Sequence, residues 1–118
     1  MNLIRHRLHG GLDYVTVVGF LVAPTLLGLN GTPAWIAYGL SGVHLILTLL
    51  TAFPLGLYKV VPMAVHGALE LAVAIALLPA PWILKFSSEA PARNFMVGSG
   101  MVIFMVWLLT RYRDPRKA

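Results

Sequence analysis

Residues 66–82 are HGALELAVAIALLPAPW, an apolar run that carries a histidine and a glutamate near its start. Residues 9–25, HGGLDYVTVVGFLVAPT, have the same arrangement, since His9 precedes Asp13 by four residues as His66 precedes Glu70. Side chains four residues apart share one face of a helix. Ionisable groups within a bilayer cost roughly 2.5–3.5 kcal/mol each on insertion scales. These two pairs therefore need a structural or chemical reason.

The composition indicates a membrane protein. Of the 118 residues, 58% are hydrophobic and 11% are charged, whereas soluble domains have about 25% charged residues. A chain this small cannot hide so much apolar surface from water, so we expect the lipid bilayer to be its main partner. The net charge of +5 does not indicate nucleic acid, because the cations flank apolar segments. The absence of cysteine excludes disulfides, thiolate metal sites and iron–sulfur clusters.

Four apolar segments have about the 17–25 residues that a spanning helix needs. The connections NGTP, PLGLYK and KFSSEAPAR are short and rich in turn residues, so neighbouring helices should be antiparallel. Strands are not expected, because nothing alternates with period two and an open sheet edge is not tolerated in lipid. The sequence predicts an all-α, up-down bundle of four transmembrane helices in one membrane domain, with the segments at 11–29, 34–53, 60–78 and 92–110.

The distribution of lysine and arginine predicts the orientation, because these residues concentrate on the cytoplasmic side. We expect both termini to be cytoplasmic. We interpret the first apolar run as a span rather than a signal peptide, since Asp13 and the Gly10–Gly11 pair fit a signal peptide poorly. The expected outer side has Lys85 and Arg93, and the expected inner side has Arg5, Arg7, Lys59, Arg111, Arg113, Arg116 and Lys117.

The chain contains an internal repeat. A shift of 57 positions places His9–Gly10 over His66–Gly67 and Asp13 over Glu70. With one more residue inserted, the second spans align as well, including Ser41–Gly42 over Ser99–Gly100. We expect two hairpin repeats, about 9–54 and 66–112, that enter the membrane in the same direction and are related by a pseudo-two-fold axis along its normal.

The tripeptide Ala80-Pro81-Trp82 lies near the outer end of the first helix of a two-helix unit. In this it resembles the SPW-repeat membrane proteins, small bacterial proteins named for a Ser-Pro-Trp motif in the first of two transmembrane helices. Ala80 stands in place of the motif serine, and the first copy is Ala23-Pro24-Thr25, without tryptophan. The resemblance implies a two-helix repeat and a bacterial inner membrane, and it implies no activity.

Several repeated residues have structural explanations. Pro24 and Pro81 come late in their predicted helices, where proline kinks or ends a helix. Trp82 and Trp35 are expected near the outer interface, where indole rings anchor. Small side chains at every fourth position of the third helix allow another helix to approach closely. That stripe lies nearly opposite the polar pair of the helix, and its members include Ala64, Ala68, Ala72 and Ala76.

Three interpretations remain open for the polar residues. In the first, histidines and carboxylates form a buried hydrogen-bond network that fixes helix register, which Thr48, Thr51 and Tyr14 can join. In the second, they hold a ligand, either haem between His44 and His66 or His9, or a divalent metal ion. In the third, they form a proton path, against which the apolar outer halves of the helices argue. The metal ligands would be His9, Asp13, His66 and Glu70.

No catalytic motif is present, so catalytic residues are not assigned and an enzyme is not expected. The small size, the short loops and the alanine stripe favour an accessory subunit or helix-packing module, within a larger membrane complex or a homo-oligomer. The alternative is a redox membrane protein that binds a metal ion or haem through its histidine and acid pairs.

Overall fold

The computed structural model describes residues 5–52 and 55–110, and these residues contain five helices and no β-strand. The expected tail at 111–117 and the ends of both repeats lie outside the described residues. Because α1 begins at His6 rather than at residue 11, it includes both His9 and Asp13. The helices are α1 (His6–Leu27), α2 (Thr32–Leu50), α3 (Met63–Leu77), α4 (Ala80–Ile83) and α5 (Ala90–Leu109).

Three of the described helices, α1, α2 and α5, are long and apolar enough to cross a membrane. Their length and composition indicate a membrane protein. The third expected span differs from its prediction, since α3 has only 15 residues and ends before a turn that leads into α4. Pro79 and Pro81 explain the break, because proline lacks the amide hydrogen that would continue α3 and suits the first turn of a new helix.

Proline and glycine also set the end of α1. Pro24 lies inside α1, and the helix continues for another turn to Leu27. Gly28 then adopts a left-handed conformation with φ of 65°, and the Leu29 amide donates to the Pro24 carbonyl at 2.9 Å. This is a common way to end a helix, because glycine has no Cβ to clash in that conformation. The chain turns there into α2.

The described helices pack as two hairpins. α1 lies along α2, and α3 lies along α5. Ser41 Oγ donates to the Val17 carbonyl at 2.7 Å, which joins α2 to α1. Phe20 and Phe95 meet edge to face with ring centroids 5.3 Å apart, which joins α1 of one hairpin to α5 of the other.

The two ends of the molecule differ in chemistry. One end has an apolar core of eight residues, contributed by the helices and by the connections that follow α1 and α4. The opposite end contains the buried polar cluster and the connection from α2 to α3. That connection caps α2, because the amides of Leu57 and Tyr58 donate to the Leu49 carbonyl. The apolar core consists of Phe20, Ala23, Leu29, Ala37, Leu77, Phe86, Ala92 and Met96.

The alanine stripe of α3 is exposed on the described part of the chain. The buried face of α3 instead includes His66, Glu70, Ala74 and Leu77. No described helix covers the stripe, so the expectation that α3 is packed on both sides is not met within residues 5–52 and 55–110. Its members in α3 are Ala64, Ala68, Ala72 and Ala76, whereas Ala80, which continues the four-residue spacing, is buried in α4.

Gly100 is a position where α5 closely approaches α3. A Cβ at Gly100 would lie 3.1 Å from the Ala74 carbonyl oxygen and 3.2 Å from Leu77 Cβ, whereas a Cβ at Gly42 would meet nothing within 4 Å. We expect Gly100→Ala to lower the free energy of unfolding in detergent by about 1–3 kcal/mol, because α5 must move away from α3. Gly42→Ala, its counterpart in the sequence repeat, should raise it by about 0.5–1 kcal/mol through better helix propensity. If Gly100→Ala and Gly42→Ala have equal free energies of unfolding, α5 does not approach α3 closely at Gly100.

Candidate metal centre

The structure brings all five ionisable residues singled out from the sequence into one buried cluster. His9 and Asp13 come from α1, His44 from α2, and His66 and Glu70 from α3. His9 and His66 are fully buried, and both carboxylate side chains are only 4% exposed. His44 lies at the edge of the cluster, with 15% of its side chain exposed.

The Glu70 carboxylate is the point on which the imidazoles converge. Its Oε1 lies 3.0 Å from His9 Nε2 and 2.9 Å from His66 Nε2. The Nε2 atom of His44 is farther from the same oxygen, at 3.8 Å. One carboxylate oxygen thus contacts ring nitrogens from two different helices directly.

The Asp13 carboxylate occupies the other side of the cluster. Its Oδ1 is 3.2 Å from His9 Nε2 and 3.1 Å from His44 Nε2. Its Oδ2 is 3.1 Å from His66 Nε2 but makes no hydrogen bond with any described residue, although it is buried. Buried polar atoms are nearly always hydrogen-bonded, so a buried carboxylate oxygen held only by an ion-pair contact to His66 has room for a further partner.

Each of the two fully buried histidines has its second ring nitrogen on a threonine. His66 Nδ1 lies 2.7 Å from Thr51 Oγ1, and His9 Nδ1 lies 2.8 Å from Thr110 Oγ1. Both threonines are the C-cap residues of their helices, α2 and α5. Each contact therefore joins one hairpin to the other, from α2 to α3 in the first case and from α5 to α1 in the second.

The threonine hydroxyls fix the tautomer of these histidines. Thr51 Oγ1 donates its only hydrogen to the Leu47 carbonyl at 2.6 Å, and Thr110 Oγ1 donates to the Val106 carbonyl. Each hydroxyl oxygen can then only accept, so His66 and His9 must donate through Nδ1–H. Their Nε2 atoms, which face the carboxylates, carry either a second hydrogen or a free lone pair.

Two charge-neutral states satisfy this arrangement. In one, His9 and His66 are imidazolium ions that balance the two carboxylates. In the other, both Nε2 lone pairs and the carboxylates bind a divalent cation. The second is the usual geometry of a metal-binding histidine, whose remaining N–H is held by a hydrogen-bond acceptor that orients the ring. One ligand atom from each of His9, Asp13, His66 and Glu70 lies within 4.8 Å of all the others.

Not every polar residue near the cluster belongs to it. Thr48 is fully buried, but its hydroxyl has no hydrogen-bond partner in the described residues. Tyr14 donates to the Leu55 carbonyl at 2.9 Å instead. The sequence pattern does not single out Thr110, although its place at the end of α5, equivalent to that of Thr51 at the end of α2, is a usable signal.

The imidazoles of His44 and His66 lie close together. Their ring centroids are 5.8 Å apart, and the ring planes meet at 61°. A cavity of about 20 Å³ adjoins Asp13, His44 and Glu70, and a larger cleft of about 320 Å³ includes His44 and Glu70 but not His66 in its lining. Gly39 and Gly42, small residues of α2 near His44, are exposed and face open space.

Comparison of the chain with protein-family models, with curated proteins and with solved structures found no match.

Proposed function

We propose that this chain is a membrane protein that binds one divalent transition-metal ion through His9, Asp13, His66 and Glu70. The observation that carries the proposal is the convergence of two Nε2 atoms on the carboxylates, while the buried Oδ2 of Asp13 has an ion-pair contact to His66 at 3.1 Å but no hydrogen bond. A hydrogen-bond network alone would be expected to distribute its donors over all the oxygens, because an unpaired buried acceptor costs about 1–3 kcal/mol. An ion at the centre would give that oxygen a partner.

The distances suit a small transition-metal ion. A tetrahedral ion with bonds of about 2.0–2.1 Å separates its ligand atoms by roughly 3.3 Å. The four histidine–carboxylate contacts are 2.9–3.2 Å, and one ligand atom from each of the four residues lies within 4.8 Å of the others, so small movements of the side chains would accommodate the ion. Imidazole and carboxylate ligands together suit zinc, iron or manganese rather than calcium or magnesium.

Haem is the less well supported ligand. A porphyrin between His44 and His66 would have to displace the carboxylates that their Nε2 atoms now contact. The cavity of about 20 Å³ among Asp13, His44 and Glu70 is far too small for the macrocycle, and the cleft of about 320 Å³ beside His44 does not include His66 in its lining. A proton path is also less well supported, because Thr16, on the outer side of the cluster, donates to its own helix at the Leu12 carbonyl.

Titration of the detergent-purified, metal-stripped protein with Zn²⁺ tests the proposal. Because a dication replaces the two hydrogens on His9 and His66 Nε2, saturation at about one ion per chain should release about two protons. The release is measured in weakly buffered solution. Zinc binding without proton release would place the ion elsewhere, and absence of saturable binding would overturn the proposal.

The threonine that orients His66 gives a sharper prediction. Thr51→Val should weaken zinc binding by roughly 10–100-fold, because it removes the acceptor of the His66 Nδ1–H. Thr48→Val is the matched control on the same helix, and it should leave zinc affinity unchanged, since the Thr48 hydroxyl has no partner in the described chain. A chelator competition assay measures both variants, and equal affinities would argue against the assigned role of Thr51.

We further propose that four segments span a bacterial inner membrane as two parallel hairpins, with α3 and α4 together forming the third span and both termini in the cytoplasm. Lysine and arginine are in excess on the side that holds both termini and the connection from α2 to α3, which supports this orientation. So does the resemblance of Ala80-Pro81-Trp82 to the SPW-repeat family, which remains an expectation.

The absence of native cysteine makes the topology easy to test with single introduced thiols. Tyr58 and Ser88 are both exposed, in the connections at opposite ends of the molecule. An impermeant maleimide applied to spheroplasts should label Ser88→Cys directly, and Tyr58→Cys only after permeabilisation. The reverse pattern would invert the proposed orientation.

A second candidate function is that of an accessory subunit in a larger membrane complex or a homo-oligomer. The exposed alanine stripe on α3 favours it, because small side chains let a neighbouring helix approach closely. Gentle solubilisation of the native membrane should then yield the chain in an assembly larger than a monomer, whereas a free monomer would count against this role.

A further inference from the structure

The two carboxylates of the cluster are held by different histidines. Glu70 Oε1 has hydrogen-bond contacts with His9 Nε2 at 3.0 Å and with His66 Nε2 at 2.9 Å. Asp13 has its hydrogen bond at Oδ1, with His44 Nε2 at 3.1 Å, and its Oδ2 has none among the described residues. His44 therefore joins the cluster through Asp13, from the other helix of the same hairpin.

The contact between His44 and Asp13 is not repeated in the second hairpin. His44 corresponds to Val102 when the second spans of the repeat are aligned. Both residues line the cavity of about 20 Å³ beside the carboxylates. A valine side chain cannot donate a hydrogen bond, so this contact has no counterpart at that position of α5. The repeat keeps a histidine and an acid in α1 and α3 but differs here, which indicates a separate role for His44.

The chemistry of the two groups fixes the direction of this hydrogen bond. An ionised carboxylate can only accept, so His44 donates through Nε2–H to Asp13 Oδ1. The direction is the same whether the imidazole carries one hydrogen or two. His44 Nε2 is 3.8 Å from Glu70 Oε1, and His44 is not one of the four residues whose ligand atoms converge. His44 is thus placed to support a ligand rather than to be one.

The two oxygens of Asp13 would have different roles around an ion. His9 Nε2 also lies near Oδ1, at 3.2 Å, but a ring nitrogen that binds an ion offers its lone pair and has no hydrogen to donate. His44 is then the remaining donor to Oδ1 within residues 5–52 and 55–110. Oδ2 faces His66 Nε2 at 3.1 Å and has no hydrogen bond there, so it is the oxygen available to the ion.

We propose that His44 is a positioning residue of the metal centre, whose Nε2–H holds Asp13 Oδ1 so that Asp13 binds the ion through Oδ2 alone. This rests on the proposed metal-binding function and adds the coordination number to it. One atom from each of the four ligands makes the ion four-coordinate, which is the usual number for structural zinc. Carboxylates that bind metal ions are commonly oriented by such a hydrogen bond.

The visible spectrum of the protein saturated with Co²⁺ tests this role, because cobalt absorbs strongly when it is four-coordinate and more weakly when it is five-coordinate. Wild-type protein should give the strong spectrum. His44→Val frees Asp13 Oδ1, which should then bind the ion as well. We expect the absorption per bound cobalt to fall to that of a five-coordinate ion, and the affinity for cobalt to fall roughly 10–100-fold.

Two amide variants separate positioning from packing. The amide nitrogen of glutamine reaches about as far along the side chain as Nε2 of histidine, and that of asparagine only about as far as Nδ1. His44→Gln should therefore keep the strong spectrum, whereas His44→Asn should behave as His44→Val does. Val102→Ala, at the corresponding position of α5, is the control and should leave the spectrum and the affinity unchanged.

The possible failures are distinguishable. A stronger absorption in His44→Val than in the wild type would mean that His44 is itself a ligand, and it would overturn the positioning role. Bound cobalt with the same spectrum in the wild type and in all three variants at position 44 would overturn that role and leave the metal centre intact. Wild-type protein that takes up no cobalt would overturn the metal centre, and the role of His44 with it.

Discussion

Replacing His66 with alanine should abolish stoichiometric zinc binding. The substitution removes one of two imidazole ligands, and it leaves the Thr51 hydroxyl and Glu70 Oε1 without the ring that joins them. Loss of a residue that merely orients a ligand costs roughly 10–100-fold in affinity, so loss of the ligand itself should cost more than about 100-fold. Competition with a chromophoric chelator measures the change in purified protein.

His9→Ala should have the same effect, because His9 makes the equivalent contacts to Thr110 and Glu70. His6→Ala is the matched control, since it removes a histidine from the same helix but from outside the four-residue cluster. A His66→Ala protein that binds zinc as tightly as the wild type would show that the cluster is not the site. Loss in His6→Ala as well would point to a general effect on folding.

The second large effect is expected from Glu70→Gln in metal-free protein. Without the ion, two imidazolium rings balance two carboxylates. Glu70→Gln removes one of the negative charges, so one buried imidazolium is left without a counter-charge. Removing one partner of a buried ion pair typically costs about 3–5 kcal/mol. We expect a loss of this size in the free energy of unfolding, measured in mixed micelles with increasing denaturing detergent.

Glu89→Gln provides the comparison for Glu70→Gln, because Glu89 is an exposed carboxylate that precedes α5. It should change the unfolding midpoint little, since exposed charges contribute about 0–1 kcal/mol. If Glu70→Gln and Glu89→Gln unfold at the same midpoint, the buried carboxylate does not hold the helices together.

The sequence predicts the cluster well, because two simple rules apply to it. Four-residue spacing places His9 with Asp13, and His66 with Glu70, on one helix face each. The high cost of ionisable groups in lipid then requires the two faces to meet each other rather than the acyl chains. His44 follows from the same requirement, since its helix offers no acid of its own.

The second ring partners are harder to predict from the sequence. Thr51 and Thr110 reach the histidines because α2 and α5 end beside α3 and α1, which depends on how the helices pack rather than on spacing along one helix. The repeat aligns Ser41–Gly42 with Ser99–Gly100 but does not align the two threonines in the same register.

The helices differ from the expected ones in two ways. The third span was predicted at 60–78, but α3 covers only Met63–Leu77, and a separate helix, α4, begins beyond the predicted end, after Pro79. Gly42 and Gly100 match in the repeat, yet Gly100 alone of the two has a helix against it. Equivalent sequence positions thus have different neighbours, which no periodicity in the sequence indicates.

The metal content of the wild-type protein, purified from cells grown with defined trace metals, decides whether the buried cluster is a metal site. We expect about one first-row transition-metal ion per chain, retained through gel filtration, and none in the protein that carries both His9→Ala and His66→Ala. An equal, substoichiometric amount of metal in both proteins would contradict it. The buried cluster would then be an ion-paired network that holds the helices in register.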